Sequence, residues 1–277
     1  MTPPMTLLRL EITKLRYQKR TWVGLGGLAI VPIVATIALY LSHGNQGGPQ
    51  DALPLIAGQL KNGLFIPLFA VVIIGAFLLP LATSMVGANT IAGEAEAGTM
   101  KTVLVRPVRR GSLLSAKWAI SVGYLAVALT IVFVVGLVAG LIAFGVHGIF
   151  VHLGPLQVDF SVGHTLWLTC LAYVLQLVSM TAVLSFAIML STLTNSSLTA
   201  AVGSLVIVLV VEILLQFSYF AFLRPYVFTT YFSSGADLFK QPIPWGTIVR
   251  GVFCAGAWSV GFGLVAWRQF GRRDILV

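Results

Sequence analysis

The residues best suited to interact with a soluble partner lie in one polar segment, Ala92–Lys117, which reads AGEAEAGTMKTVLVRPVRRGSLLSAK. The segment holds two of the eight acidic residues of the chain and five of its seventeen basic residues. The remainder of the chain is mostly apolar. We therefore expect contact with a soluble partner to take place through this charged segment.

A second candidate is a carboxylate inside an apolar run. Glu212 lies roughly midway along the run 198–223, and Gln216 follows one helical turn later. A charge at that depth costs at least about 2.5 kcal/mol if it faces lipid, so Glu212 should face the interior of the protein or a dimer axis. Two interpretations stay open: a contact with substrate or a proton in a translocation path, or a neutral, hydrogen-bonded packing residue.

Other chemistry finds little support in the sequence. The four histidines have no accompanying Cys or acidic cluster, so a metal site is not predicted; they are His43, His147, His152 and His164. Cys170 and Cys254 fall within apolar runs, where we expect packing residues rather than a disulfide. No Ser/His/Asp grouping or H-E-x-x-H motif occurs, so no catalytic residues are predicted.

Composition places the chain in a membrane. Hydrophobic residues make up 58% of the chain, charged residues only 9%, and the mean hydropathy is +0.97. A membrane helix needs about 20 mainly apolar residues, whereas barrel strands alternate over about 10. The continuous apolar runs predict an all-α membrane protein with six transmembrane helices, at residues 21–41, 64–91, 118–146, 164–191, 198–223 and 246–270.

The distribution of Lys and Arg predicts the orientation. Five basic residues precede the first run, five lie between the second and third, three lie at the end of the sixth run or after it, and four lie elsewhere. Because cytoplasmic loops retain positive charge, both termini should be cytoplasmic. The same bias, with attraction to anionic lipid, accounts for the net charge of +9, so nucleic acid is not an expected partner.

The elements around the charged segment predict a rigid structure. The second run exceeds the thickness of the bilayer and should continue as a helix through Glu94 and Glu96, with Gly98 as a stop. Gly111 and Ser112 resemble a boundary and an N-cap before the third membrane helix.

Between these boundaries the spacing predicts a short helix over Thr99–Val105. Met100, Val103 and Leu104 fall at i, i+3 and i+4 and form one apolar face. Pro107 disfavours the helical conformation for Arg106 and ends this helix. The acidic residues before the helix and the basic residues after it, Arg106, Arg109 and Arg110, give opposite charges that could fix its orientation against a partner.

Three further segments allow two interpretations each. Residues 5–20 have Leu8, Ile12 and Leu15 at helical spacing, which suits an interfacial "elbow" helix or a basic topology anchor. The uncharged linker Ser191–Ser197 suits a tight connection better than a second partner contact. The aromatic stretch 217–232, with the prolines that follow it, suits a re-entrant hairpin at the external mouth or an interfacial aromatic belt.

The charged segment resembles the pattern of the ABC-2 type transporter permeases. In that family an acidic pair, a Gly-Thr, an apolar stretch, a Pro-x-Arg and a Lys follow the second span. The matching positions are Glu94, Glu96, Gly98, Thr99, Pro107, Arg109 and Lys117. The six-span layout, the basic N-terminal segment and the ending Phe270–Asp274 are also similar, so the resemblance covers the whole chain as one transmembrane domain, residues 1–277.

The resemblance implies a permease subunit of an ABC exporter in a prokaryotic plasma membrane. It implies a dimer with a second copy or a paralogous permease, driven by two copies of a separate ATPase subunit that binds ATP and Mg. The short helix would seat in a groove of that ATPase. The coupling residues would be Glu94, Glu96, Gly98, Thr99, Met100, Val103, Leu104, Pro107, Arg109 and Arg110.

The motifs that are missing agree with this interpretation. No G-x-x-x-x-G-K-[ST] phosphate loop occurs, so no cofactor is expected on this chain and the motor must be another polypeptide. The alternatives are an ATP-independent secondary transporter or channel, and a membrane anchor for a cytoplasmic partner. A secondary transporter typically has inverted repeats or broken helices with charges inside the membrane. A hydrophobic or amphipathic substrate suits the apolar bundle, but composition does not identify it.

Overall fold

The computed structural model describes residues 13, 17–42, 62–98, 110–145, 149–153, 156–240 and 242–272. In chain order the elements are α1 (Lys19–Ser42), α2 (Phe65–Ala76), α3 (Leu78–Asn89), α4 (Ala92–Glu96), α5 (Arg110–Phe144), β1 (Ile149–Leu153), β2 (Leu156–Phe160), α6 (Val162–Leu193), α7 (Ser197–Leu214), α8 (Ser234–Asp237) and α9 (Trp245–Arg272). Two 3-10 helices, Ser218–Tyr226 and Phe228–Tyr231, lie between α7 and α8.

The predicted helical membrane bundle is confirmed. Within the described residues, α1, α5, α6, α7 and α9 are each long and apolar enough to cross a membrane, and α2 with α3 forms a sixth, bent candidate. The connection between α5 and α6 contains a feature that the sequence did not predict, because β1 and β2 pair antiparallel from Ile149 opposite Phe160 to Leu153 opposite Leu156.

The second span is broken near its middle. The axes of α2 and α3 differ by 58°, and Phe77 alone separates the two helices. Pro80 explains the break, since proline has no N–H to bond the carbonyl of Ala76 and its ring clashes with that carbonyl. The two halves therefore pack against their neighbours in different directions.

Helix α6 is the centre of the bundle. Of its most apolar stretch 61% is buried, against 33% or less in each of α1, α5, α7 and α9. It packs on both halves of the second span: the Tyr173 hydroxyl donates to the Pro67 carbonyl in α2 at 2.9 Å. In α3, Gly87 lies so close that an added Cβ would be 2.6 Å from the Cβ of Ala187. Small residues allow this close approach, as is typical of membrane helices.

Hydrogen bonds between side chains join α6 to α5 and α9. The Trp118 indole donates to the Ser185 hydroxyl at 2.8 Å, and the Ser185 and Ser259 hydroxyls are also 2.8 Å apart. Nearer the end of α6, the Thr192 hydroxyl lies 2.8 Å from the Gln269 side-chain oxygen. These contacts fix the packing of three helices whose apolar surfaces alone would set no unique register.

Two predicted helix ends are wrong. Helix α5 begins at Arg110, eight residues before the predicted start of the span, so Gly111 and Ser112 lie inside the helix rather than at a boundary and N-cap. The early turns are stabilised by packing, because Leu113 and Leu114 are buried. The helix thus extends beyond the length that the apolar run indicates.

Helix α7 ends at Leu214, before the predicted end of the span at residue 223. The Arg224 guanidinium folds back and donates to the carbonyls of Leu215 and Gln216, at 2.9 and 3.3 Å, which lie just beyond the last helical residue. The stretch predicted as a re-entrant hairpin consists of the two 3-10 helices and α8, and the Tyr226 carbonyl accepts a hydrogen bond from the Trp258 indole at 2.7 Å.

Candidate functional site

The acidic pair of the charged segment lies on α4, directly after the second span. Glu94 is buried, with 4% of its surface exposed, and its carboxylate Oε1 lies 2.6 Å from Nζ of Lys117 in α5. Lys117 is equally buried. The Glu94 carboxylate therefore interacts within the chain rather than on a surface open to a partner.

This ion pair has a specific energetic role. Desolvation of two charges largely cancels their attraction, so such a pair adds little net stability, whereas removing one partner leaves a costly buried charge. The pair consequently favours the one arrangement in which α4 lies against α5. It also joins the two ends of the charged segment, since Glu94 lies near the start of that segment and Lys117 is its last residue.

Glu96 binds the first residue of α7. Its Oε2 accepts hydrogen bonds from the backbone N–H of Ser197 at 3.1 Å and from the Ser197 hydroxyl at 2.6 Å. Ser197 is the first residue of α7, where N–H groups have no partner within the helix and a negative charge is favourable. The linker between α6 and α7, which the sequence left as a tight connection or a second partner contact, is therefore attached to α4.

Ser191, near the end of α6, makes a third contact with this region. Its hydroxyl donates to the Ala88 carbonyl at 2.7 Å and accepts from the N–H groups of Ala92 and Ile91 at 2.8 and 3.3 Å. Together, Lys117, Ser191 and Ser197 attach the end of the second span to α5, α6 and α7. We call Glu94, Glu96, Lys117, Ser191 and Ser197 the inner cluster.

Gly98 ends this region as the sequence predicts. Its φ is +67°, in the left-handed region that glycine adopts without a steric penalty. The remaining predicted coupling residues Thr99, Met100, Val103, Leu104, Pro107 and Arg109 lie outside the described residues, as does most of the predicted elbow helix. Arg110 is the first residue of α5.

Glu212 and Gln216 are not at the middle of a membrane helix. Because α7 ends at Leu214, Glu212 is in its last turn and Gln216 is beyond it. Glu212 is half-buried and Gln216 is exposed. The prediction that Glu212 lies midway along a membrane helix is therefore wrong, because Glu212 is in the last turn of α7.

The other candidate groups form no centre in the described part of the chain. No group of three or more His, Cys, Asp or Glu residues there is placed to hold a metal ion. His43 and His147 lie outside the described residues. Cys170 and Cys254 are free thiols on α6 and α9; Cys170 is exposed, so the prediction that it packs inside the chain is wrong, whereas Cys254 is partly buried.

Sequence reasoning did not find the pairing of Glu94 with Lys117 or the roles of Ser191 and Ser197. A signal existed for the ion pair, since two opposite charges border membrane spans that a single loop connects, and each would be costly to bury alone. No comparable signal exists for Ser191, because its partners lie about a hundred residues earlier in the chain.

The arrangement of apolar helices defines a multi-pass α-helical membrane protein with a polar cluster at one end of the bundle. Its sequence matches the family described as ABC-2 family transporter protein over residues 5–275. The chain therefore belongs to the ABC-2 transporter family, and the family resemblance of the charged segment is confirmed. No curated protein matches the chain.

The ion pair predicts a marked asymmetry between single and double variants. Lys117→Met should lower the free energy of unfolding by about 3–5 kcal/mol, because it leaves the Glu94 carboxylate buried without its cation. Adding Glu94→Gln should recover most of that loss. Unfolding in mixed micelles titrated with a denaturing detergent measures both quantities.

A surface ion pair of the same chain provides the control. Lys240 is 69% exposed and lies 2.6 Å from Asp237, so Lys240→Met should cost less than about 1 kcal/mol. Equal losses for Lys117→Met and Lys240→Met would show that the Glu94–Lys117 pair is not a buried structural contact.

Proposed function

We propose that the chain is the permease subunit of an ABC exporter, located in a prokaryotic plasma membrane with both termini cytoplasmic. The observation that carries this proposal is the inner cluster, which fixes the base of the charged segment in a member of the ABC-2 transporter family. A segment whose basic residues served only to keep it on the cytoplasmic side would need no such attachment to three helices.

The attachment suits a coupling element. The conformational change of an ATP-driven motor subunit is transmitted to the membrane domain only through a rigid contact. Here a displacement of α4 is passed to α5 through Lys117, to α6 through Ser191 and to α7 through Ser197. Glu94 and Glu96 hold the base of the element, while Met100, Val103 and Leu104 supply the apolar face that docks.

The broken second span also suits the alternative of a secondary transporter, which commonly contains discontinuous helices. In such transporters, however, half-helix ends combine with intramembrane charges at a binding site. In this chain the break at Phe77 is formed by apolar residues and Pro80, and the buried ion pair lies beyond the other end of α3. The exporter subunit is therefore the function that we favour.

The substrate that fits this bundle is hydrophobic or amphipathic. A helical bundle with uncharged walls offers a path to compounds that partition into lipid and little to stabilise a multiply charged solute. The half-buried Glu212 in the last turn of α7 is the acidic group that we place on this path, with Gln216 beside it at the helix end.

The docking face makes a specific prediction. Val103→Asp combined with Leu104→Asp should leave the chain inserted and folded but abolish binding of the ATPase, because two charges cannot enter an apolar groove without a large desolvation cost. The measurement is the yield of the ATPase that co-purifies with the wild-type chain, followed by ATP-driven transport.

The opposite side of the same predicted helix supplies the control. Thr102→Asp combined with Val105→Asp adds the same charge about half a turn away from the docking face and should retain ATPase binding. Wild-type yield of the ATPase with the Val103 and Leu104 variant would exclude this segment as the coupling element.

A second prediction concerns the assembly. Each permease chain offers one coupling segment, and an ATP-sandwich motor has two lobes, so a symmetric complex of two permeases and two ATPases follows. Mass photometry of the complex in nanodiscs should give the mass of four subunits. A mass equal to one permease with one ATPase would contradict this arrangement.

The third prediction tests the path. Glu212→Gln should change the ATP hydrolysis that an amphipathic dye stimulates in the reconstituted complex, and it should leave the mass of the complex unchanged. The reason is that the substitution removes a titratable group from the path but preserves its shape. Identical stimulation and transport in wild type and variant would assign Glu212 to packing.

A further inference from the structure

We propose that Ser191 is a positioning residue. Its hydroxyl replaces one backbone hydrogen bond of the second span and so sets the direction of α4, at the start of the charged segment. In a continuous helix the N–H of Ala92 would bond the carbonyl of Ala88. Here the Ala92 N–H and the Ala88 carbonyl both bond the Ser191 hydroxyl, at 2.8 and 2.7 Å. A side chain of α6 is thus inserted into the helical ladder between α3 and α4.

The bonding capacity of the hydroxyl is fully used at this point. A serine hydroxyl has one donor and two acceptor sites. Ser191 donates to Ala88 and accepts from Ala92 and, at 3.3 Å, from Ile91. Because Ser191 is completely buried, water does not compete for these positions. The insertion therefore satisfies the backbone groups that the change of direction releases.

No proline causes this bend, and the local Asn89 and Thr90 side chains bond the carbonyls of Met85 and Gly87, at 2.7 and 2.6 Å, rather than the Ala88–Ala92 pair. Residues 85–96 contain no proline, in contrast to the break at Phe77, where Pro80 acts. The backbone nevertheless leaves the helical region at Ile91, with φ −120° and ψ −56°. Insertion of a side chain into the ladder is one of the established causes of a sharp helix kink. The Ser191 hydroxyl is the group inserted here.

The direction set by Ser191 determines what α4 can reach. With the bend in place, Glu94 meets Lys117 of α5 and Glu96 meets Ser197 of α7. Closure of the ladder would turn α4 about its first residue and carry both carboxylates away from these partners. Ser191 would then act on coupling without any contact with the ATPase, an inference that rests on the proposed function for its consequence but not for its geometry.

The geometry is tested on this chain alone. Spin labels are placed at exposed positions Ala97, after α4, and Arg268, on α9, in a background with Cys170→Ala and Cys254→Ala. The protein is diluted with unlabelled chain in nanodiscs, and the distance between the labels is measured by double electron–electron resonance.

Ser191→Ala should shift the mean distance by about 3 Å, because Ala97 lies about 9 Å along the helix from Ile91 and sharp kinks exceed about 20°. Ser191→Thr keeps a hydroxyl and should preserve the wild-type distance. Ser204→Ala is the matched control: among the described residues this buried serine bonds only the carbonyl of Ala201 in its own helix, and its loss should cause no shift.

A second variant separates closure of the ladder from simple loss of a contact. Ala92→Pro removes the N–H that closure requires, so Ser191→Ala with Ala92→Pro should not reach the distance of Ser191→Ala alone, in which the ladder closes. An unchanged distance in Ser191→Ala would overturn the proposal, and so would a shift of equal size in Ser204→Ala.

The consequence for coupling is measured separately in the complex with the co-purifying ATPase. Ser191→Ala should bind the ATPase but lower permease-stimulated ATP hydrolysis several-fold, while Ser204→Ala retains it. A shifted distance with full stimulation would overturn the coupling role of Ser191. If the Val103 and Leu104 variant still binds the ATPase, the proposed docking site fails while the distance result for Ser191 stands.

Discussion

Within a bilayer every backbone N–H and C=O must find its hydrogen bond inside the protein, and the second span of this chain is where that constraint acts most strongly. The span is interrupted twice, at Phe77 and again between α3 and α4. Both interruptions face α6, whose side chains lie against the span along its length. Helix α6 is therefore central for two reasons: its side chains bond backbone groups of the broken span, and its apolar residues pack against the neighbouring helices.

The two interruptions differ in origin. At Phe77 the cause lies in the sequence, since Pro80 lacks the N–H that Ala76 would need. Next to it, Gln176 of α6 approaches Gly75 so closely that an added Cβ would be 3.0 Å from its amide nitrogen, and that nitrogen has no hydrogen-bond partner among the described residues. At the second interruption the cause is tertiary, because a hydroxyl of α6 bonds both the donor and the acceptor.

This difference explains how much of the structure could be predicted. Apolar runs of sufficient length predict the number and type of the membrane helices. Gly98 predicts the end of the helical region at α4, because glycine adopts a positive φ without a steric penalty. The ends of α5 and α7 could not be predicted from apolarity alone, because burial of Leu113 and Leu114 stabilises the early turns of α5, and the Arg224 side chain bonds the backbone that follows α7. The inner cluster depends on residues from four separate helices, which local sequence patterns do not bring together.

The same cluster changes the meaning of the acidic residues that precede the coupling segment. The sequence suggested that acidic residues before the short helix and basic residues after it would orient the helix against a partner. In the structure, however, Lys117 compensates the charge of Glu94, and the Glu96 carboxylate accepts hydrogen bonds from Ser197 at the N-terminus of α7. Under the proposed function, the apolar face and the basic residues orient the segment against the ATPase, whereas the acidic pair holds α4 against its own bundle. A motif shared by a transporter family can thus combine residues that face a partner with residues that hold the partner-binding element in place.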